Sequence, residues 1–278
     1  MRILLVLLLF IQVSALSQHK IKKVLIEGTG LPVVMLAGGT ADISVYAFHS
    51  KELSGSYKII RMEHFNVQYA SEGLWLPNNY SVRMESEAVK STLDSLNIRE
   101  PVSIVGHSYG GIIAMDFALN YPNRIRSLVL MEPPAFGIAK AKNESPEGMK
   151  KMQELLKELT PDAEITEEQV ERFRCTLLNC DSISIRQHPQ WTTWLKQKNR
   201  LRGLSVIGKY LINFKKLYQF KQPVLIITGT QTVAFHKRIN ELLTAAFPFA
   251  RKVSVQSDHA IPATAPRELV KYLLEFLK

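Results

Sequence analysis

Two spacings of apolar residues alternate along this chain. Short, nearly continuous apolar runs mark strands buried on both faces. They occur at Leu31-Pro-Val-Val-Met-Leu36, Tyr57-Lys-Ile-Ile-Arg-Met62, Ser103 to Val105, Ile125 to Met131 and Pro223-Val-Leu-Ile-Ile-Thr228. Residues 21–27 read as an edge strand and 251–255 as a last strand. Between the runs the spacing is helical. Val82, Val89, Leu93 and Leu96 share one face of a helix expected over 81–97. Further helices are expected over 110–121, 236–247 and 265–277. Strands alternating with helices imply right-handed crossovers and a parallel sheet. The expected class is α/β, a mostly parallel, doubly wound sheet.

The alternation is interrupted once. The strand at 223–228 follows the strand at 125–131 by far more residues than one crossover helix needs. Residues 134–221 instead carry three helical tracts, about 145–159, 166–178 and 189–218, with Trp191, Trp194, Tyr210, Phe214, Tyr218 and Phe220. They are expected to form a helical cap inserted over the sheet, which would then be built from 18–133 and 222–278. Such a cap excludes water and shapes a pocket, and its aromatics are expected mainly in its own core. Residues 64–80, with Tyr69, Trp75 and Tyr80, read as a long loop of the kind that often carries function.

The first residues fit neither spacing. Met1-Arg2, the apolar run Ile3 to Val13 and the small residues Ser14-Ala15-Leu16-Ser17 form the layout of a secretory signal peptide, cleaved after Ser17. The run is short for a membrane span, and no other stretch is long and apolar enough to cross a bilayer. The expected location is secreted or periplasmic, with no stable membrane insertion once the signal is removed. Two cysteines remain, Cys175 and Cys180. Five apart in a helical tract, they face each other poorly, so two free, buried thiols are expected; a disulfide requires the helix to end between them. The formal net charge is +10, and residues 182–240 contain no Asp or Glu. That field would attract an anionic small-molecule substrate. A solvated basic face is the plainer reading, and no nucleic-acid motif accompanies it.

The chemistry concentrates at Gly106-His107-Ser108-Tyr109-Gly110, which fits G-x-S-x-G. A strand that turns directly into a helix strains its middle residue, and small neighbours allow strand and helix to approach. Ser108 would stand exposed at a helix N-terminus, where developing negative charge is favoured. A serine hydroxyl needs a base, and the base needs an orienting acid. Of the seven histidines, His259 follows the last strand, at the sheet end where a parallel fold keeps its site. His107 is expected to point away from Ser108.

The strand, the glycine loop Ala37-Gly38-Gly39-Thr40, Gly-His-Ser-Tyr-Gly-Gly, the inserted cap and a late Asp-His before the final helix together resemble the α/β-hydrolase fold superfamily. The resemblance covers nearly all of residues 21–278. It implies Ser108 as nucleophile, His259 as base, and an oxyanion hole made by the backbone N–H groups of Tyr109 and Gly39. Two positions depart from the family pattern. Ala37 stands where relatives often have His. Thr232, in Gly229-Thr-Gln-Thr232, stands where most carry the acid. Glu132, directly after the strand 125–131, is the alternative, since some relatives, including certain haloalkane dehalogenases, carry the acid there. A carboxylate at that sheet end can reach His259; otherwise Glu132 caps a turn and the site is a dyad or inactive. The implied activity is hydrolysis of carboxylic esters through an acyl-enzyme, without cofactor or metal. The alternative is a non-catalytic small-molecule binding or receptor protein that retains the pocket.

Overall fold

The structure is a computed structural model and describes residues 21–278 apart from 179 and 181. The expected signal peptide lies outside the described residues, as does His19. Among the described residues, no helix is long and apolar enough to cross a membrane.

Seven strands form one sheet: β1 Val24–Glu27, β2 Leu31–Leu36, β3 Tyr57–Met62, β4 Val102–His107, β5 Ile125–Met131, β6 Val224–Gly229 and β7 Ala250–Val255. Their spatial order is β1-β3-β2-β4-β5-β6-β7. β1 pairs antiparallel with β3, and every other pairing is parallel. The expected fold class holds.

The period of two sorts the strand residues cleanly between two cores. Val34, Leu36, Ile104, Leu128, Leu130 and Ile226 enter one core, while Val33, Met35, Val105, Val129, Met131 and Leu225 enter the other. The first core lies under α3 (Val82–Ser95), α4 (Tyr109–Asn120) and α11 (Ala234–Ala246), the second under α1 (Ala47–Leu53) and α13 (Pro266–Phe276). Residues Tyr109 to Leu119 of α4 are all buried. That explains why its apolar residues surround the helix instead of forming a stripe. Truncating Phe117 or Ile113 to alanine there is expected to cost about 2–5 kcal/mol.

Three local expectations need correction. The stretch 64–80 contains a helix, α2 (Phe65–Ser71), and 47–53 is helical as well. The third tract of the inserted segment is not one helix. Between β5 and β6 stand α5 (Phe136–Lys140), α6 (Met149–Glu158), α7 (Glu167–Leu178), α8 (Ser182–Arg186), α9 (Trp191–Lys196), a 3₁₀ stretch Lys198–Lys209 and α10 (Phe214–Tyr218). Finally, Cys175 and Cys180 are partly exposed rather than buried, and α7 does end between them. Their sulfurs lie 3.2 Å apart without a disulfide.

Candidate active site

Ser108 joins β4 to α4 with φ +50° and ψ −118°, a backbone conformation that non-glycine residues rarely adopt. Its neighbours explain how the turn is held. A Cβ on Gly106 would lie 2.5 Å from the Gly110 carbonyl oxygen, and one on Gly110 would lie 2.3 Å from that of Ala37. Neither can move, because both oxygens are backbone. The Ser108 N–H donates to the Met131 carbonyl at 2.8 Å, and the Gly110 N–H to Ala37 at 3.1 Å. The turn is thus tied to both flanking strands, and the strain at Ser108 is over-determined by its surroundings.

Glu132 follows β5 with φ +47° and is fully buried. Its carboxylate is enclosed by donors. Oε1 accepts from the Gly229 N–H at 2.8 Å, and Oε2 accepts from the Thr232 hydroxyl at 2.7 Å and faces His259 Nδ1 at 2.7 Å. The structure therefore brings together Glu132 and His259, and it explains Thr232. The residue at the usual acid position supplies a hydroxyl that grips a carboxylate arriving from the adjacent strand. Asp258 and Asp116 are occupied elsewhere, Asp258 by the Ala260 N–H at 2.8 Å and Asp116 by Ser86 and Arg83.

Two further histidines pack around His259. His236, on α11, stacks on it with ring centroids 4.2 Å apart and planes 16° apart. His107, expected to point away from Ser108, turns its Nε2 to the His259 carbonyl oxygen at 2.7 Å and donates that bond. Burial depresses both imidazoles, with the nearby His259 adding to the effect. His107 falls to about 3 and His236 well below its ordinary value. Both stay neutral at neutral pH, so neither adds a positive charge beside an imidazolium on His259.

The glycine loop lies opposite. The Gly38 carbonyl accepts from Ala41 N–H at 2.9 Å, which fixes the peptide whose N–H belongs to Gly39. Gly39 packs against Tyr109, where an added Cβ would stand 3.1 Å from the tyrosine Cβ. The Tyr109 N–H, at the first position of α4, is one of the donors a helix cannot satisfy internally. Asn66 ties this loop to the inserted segment. Its Nδ2 donates to Gly39 O at 2.7 Å and Arg200 O at 2.6 Å, and its Oδ1 accepts from Gly203 N–H at 3.0 Å. Nothing in the sequence singled out Asn66 or His236, and Thr232 was marked only as a departure from the family's acid position.

Ser108, His259 and Gly39 line one cavity of about 330 Å³, roofed by Phe173, Arg174 and Trp194. No hydrogen bond joins Ser108 Oγ to the imidazole among the described residues, a looseness common in free enzymes that closes on substrate. A small apolar recess with Phe136, Met152, Leu156 and Phe235 opens beside Ser108. A larger cleft of about 660 Å³, between α6, α7 and the β6–α11 loop, includes neither Ser108 nor His259. Glu132, His236 and His259 could offer a metal three ligand atoms within 4.8 Å of one another. Both Glu132 oxygens and His259 Nδ1 are already committed to hydrogen bonds, so Glu132 and His259 read as a hydrogen-bonded pair with His236 stacked on the imidazole.

A family model for the alpha/beta hydrolase fold matches residues 32–266. The chain belongs to that family. Among relatives within it, a cis-3-alkyl-4-alkyloxetan-2-one decarboxylase of Shewanella oneidensis is 30% identical over 116 residues, 42% of this chain and 36% of that one. A 2-hydroxy-6-oxononadienedioate/2-hydroxy-6-oxononatrienedioate hydrolase of Paraburkholderia xenovorans is 27% identical over 202 residues, 71% of this chain and 69% of that one. The first of these matches thus spans little more than a third of its relative's length. A thermophilic esterase from Thermogutta terrifontis shares the fold with a TM-score of 0.71 at 17% identity, over 92% of each chain.

Proposed function

We propose that this α/β hydrolase cleaves carboxylic esters through an acyl-enzyme on Ser108, with His259 as base and Glu132 as the acid that orients it. The observation that carries the reading is the 2.7 Å contact between buried Glu132 and His259 Nδ1, beside a serine held at φ +50° in the same cavity. With Nδ1 held by the carboxylate, Nε2 is the nitrogen left to take the Ser108 proton as Oγ attacks the carbonyl carbon. The Tyr109 and Gly39 N–H groups would receive the oxyanion, and removing one such donor typically costs about 10²–10³ in kcat. His259 then returns the proton to the leaving alcohol. Water, deprotonated by the same imidazole, attacks the acyl carbon and frees Ser108. A hydrolase acting on a dienedioate among the relatives and an esterase among the structural neighbours agree with this chemistry. The reading as a non-catalytic binding protein rested on the replaced acid, and the contact of Glu132 with His259 supports the hydrolase reading instead.

A fluorophosphonate probe tests the proposal. The native protein is expected to be labelled and Ser108→Ala to stay unlabelled, with release of 4-nitrophenol from short-chain esters lost in the same variant. A native protein that neither takes the probe nor turns over any ester in an acyl-length series would end the hydrolase reading.

A further inference from the structure

We propose that Arg174 binds an anionic group of the substrate, so that the preferred esters carry a carboxylate on one side of the scissile carbonyl and an apolar group on the other. This rests on the hydrolase reading for its chemistry, though not for its binding. Arg174 projects from α7 into the cavity that holds Ser108 and His259. Its guanidinium sits 4.4 Å from the centroid of the Trp194 ring, and its Nη2 donates to Thr40 Oγ1 at 3.1 Å. Thr40 directly follows Gly39, so the charge stands beside the loop expected to receive the oxyanion. Arg174 Nε is buried without any partner.

The neighbouring arginines mark the contrast. Arg172 pairs with Glu158, Arg186 with Glu171, Arg202 with Glu164, and Arg200 approaches Asp42 at 3.6 Å. Among the described residues no carboxylate pairs with Arg174. Arg174 is only partly exposed, and a guanidinium so shielded is stabilised by a partner of opposite charge. Burial lowers the Arg174 guanidinium to about 10, which still leaves it charged at neutral pH. The charged side chains lining the cavity are Arg174, Arg200 and Asp42, two cations against one anion. A ligand carboxylate would supply the missing charge and occupy the planar donor fork. A recess of about 20 Å³ beside Ser108, lined by Phe136, Met152, Leu156 and Phe235, would take a methyl-sized end of the apolar part.

The probes are mono-4-nitrophenyl adipate and 4-nitrophenyl hexanoate, whose acyl chains have equal length and differ by a terminal carboxylate against a methyl group. The native protein is expected to favour the adipate by roughly tenfold or more in kcat/KM, the range for a charge-assisted contact. That ratio should fall to about one in Arg174→Met and to an intermediate value in Arg174→Lys, which keeps the charge without the fork. An arginine that only packs against Trp194 would leave the ratio unchanged. Native protein with no preference, or a preference that survives in a folded Arg174→Met, overturns the proposal. Should Arg174→Met fail to melt cooperatively, the native ratio and Arg174→Lys decide alone. Calorimetric titration of both compounds into Ser108→Ala separates this claim from the hydrolase reading. Tighter binding of the adipate, lost on adding Arg174→Met, supports the anion site even if no ester is turned over; equal binding of the two compounds overturns it.

Discussion

The rim of the sheet and the helices above it hold charge in opposite ways. At the rim, Glu132 is fully buried, and its oxygens are taken by Gly229, Thr232 and His259. In the inserted segment, carboxylates stand near the surface against arginines, as Glu158 does with Arg172, with side chains 44% and 39% exposed. Arg174, which lines the cavity, has no such partner among the described residues. Exposed pairs such as Glu158–Arg172 contribute roughly 0–1 kcal/mol and tolerate change. A buried, saturated carboxylate is fixed in place, and altering it leaves neighbours unsatisfied. Substitution at the rim should therefore act on the chemical step, and substitution in the segment above it on which substrate binds.

The sharpest way to break that contrast is Glu132→Gln. We expect kcat to fall about a hundredfold or more while cooperative melting persists, because the imidazole loses its charged support. Unchanged turnover would remove Glu132 from the mechanism. Thr232→Val is the finer cut, since it takes one donor from Oε2 and keeps the volume of the side chain. Roughly tenfold in kcat is expected, the scale of one hydrogen bond to a charged group. Native turnover in that variant would mean that Gly229 and His259 hold the carboxylate unaided.

A further expected effect is on stability. Burial holds His107 at about 3 and His49 at about 4 in the folded protein. The unfolded chain takes up protons on both as pH falls through about 6.5. Folded stability is therefore full above that value and is lost progressively down to the folded values, by about 1.4 kcal/mol per pH unit for each group. Melting temperature should drop between pH 7.5 and 5, and His49→Leu should flatten part of the slope. A melting temperature that stays level across that interval would show these imidazoles are not held neutral.

The sheet was legible because burial on both faces leaves continuous apolar runs; β5 covers Ile125–Met131, as its run predicts. α2 was not, because its first free N–H groups, at Phe65 and Asn66, are capped by Glu85, some twenty residues further on. No local signal records such a cap. The tract 189–218 tightens into a 3₁₀ stretch over Lys198–Lys209, within which Gly203 meets Asn66 so closely that a Cβ there would stand 2.3 Å from the amide carbon. Tertiary contact, not periodicity, decides its path. In the site, Ser108, His259 and Glu132 were readable from their places at strand ends. The roles of Thr232, His236 and Asn66 depend on which side chains the loops and α11 bring into contact. No local signal showed that the His107 ring would meet the His259 carbonyl.

Asn66 has a mechanical consequence. One amide clasps Gly39 on the sheet side and the backbone of Arg200 and Gly203 above it. If the upper helices lift to let a product leave, these bonds must part or Gly39 must travel with them. On the proposed mechanism, departure of product and dismantling of the anion-receiving peptide would then be one event, and the pocket could resume catalysis only after the roof had reseated.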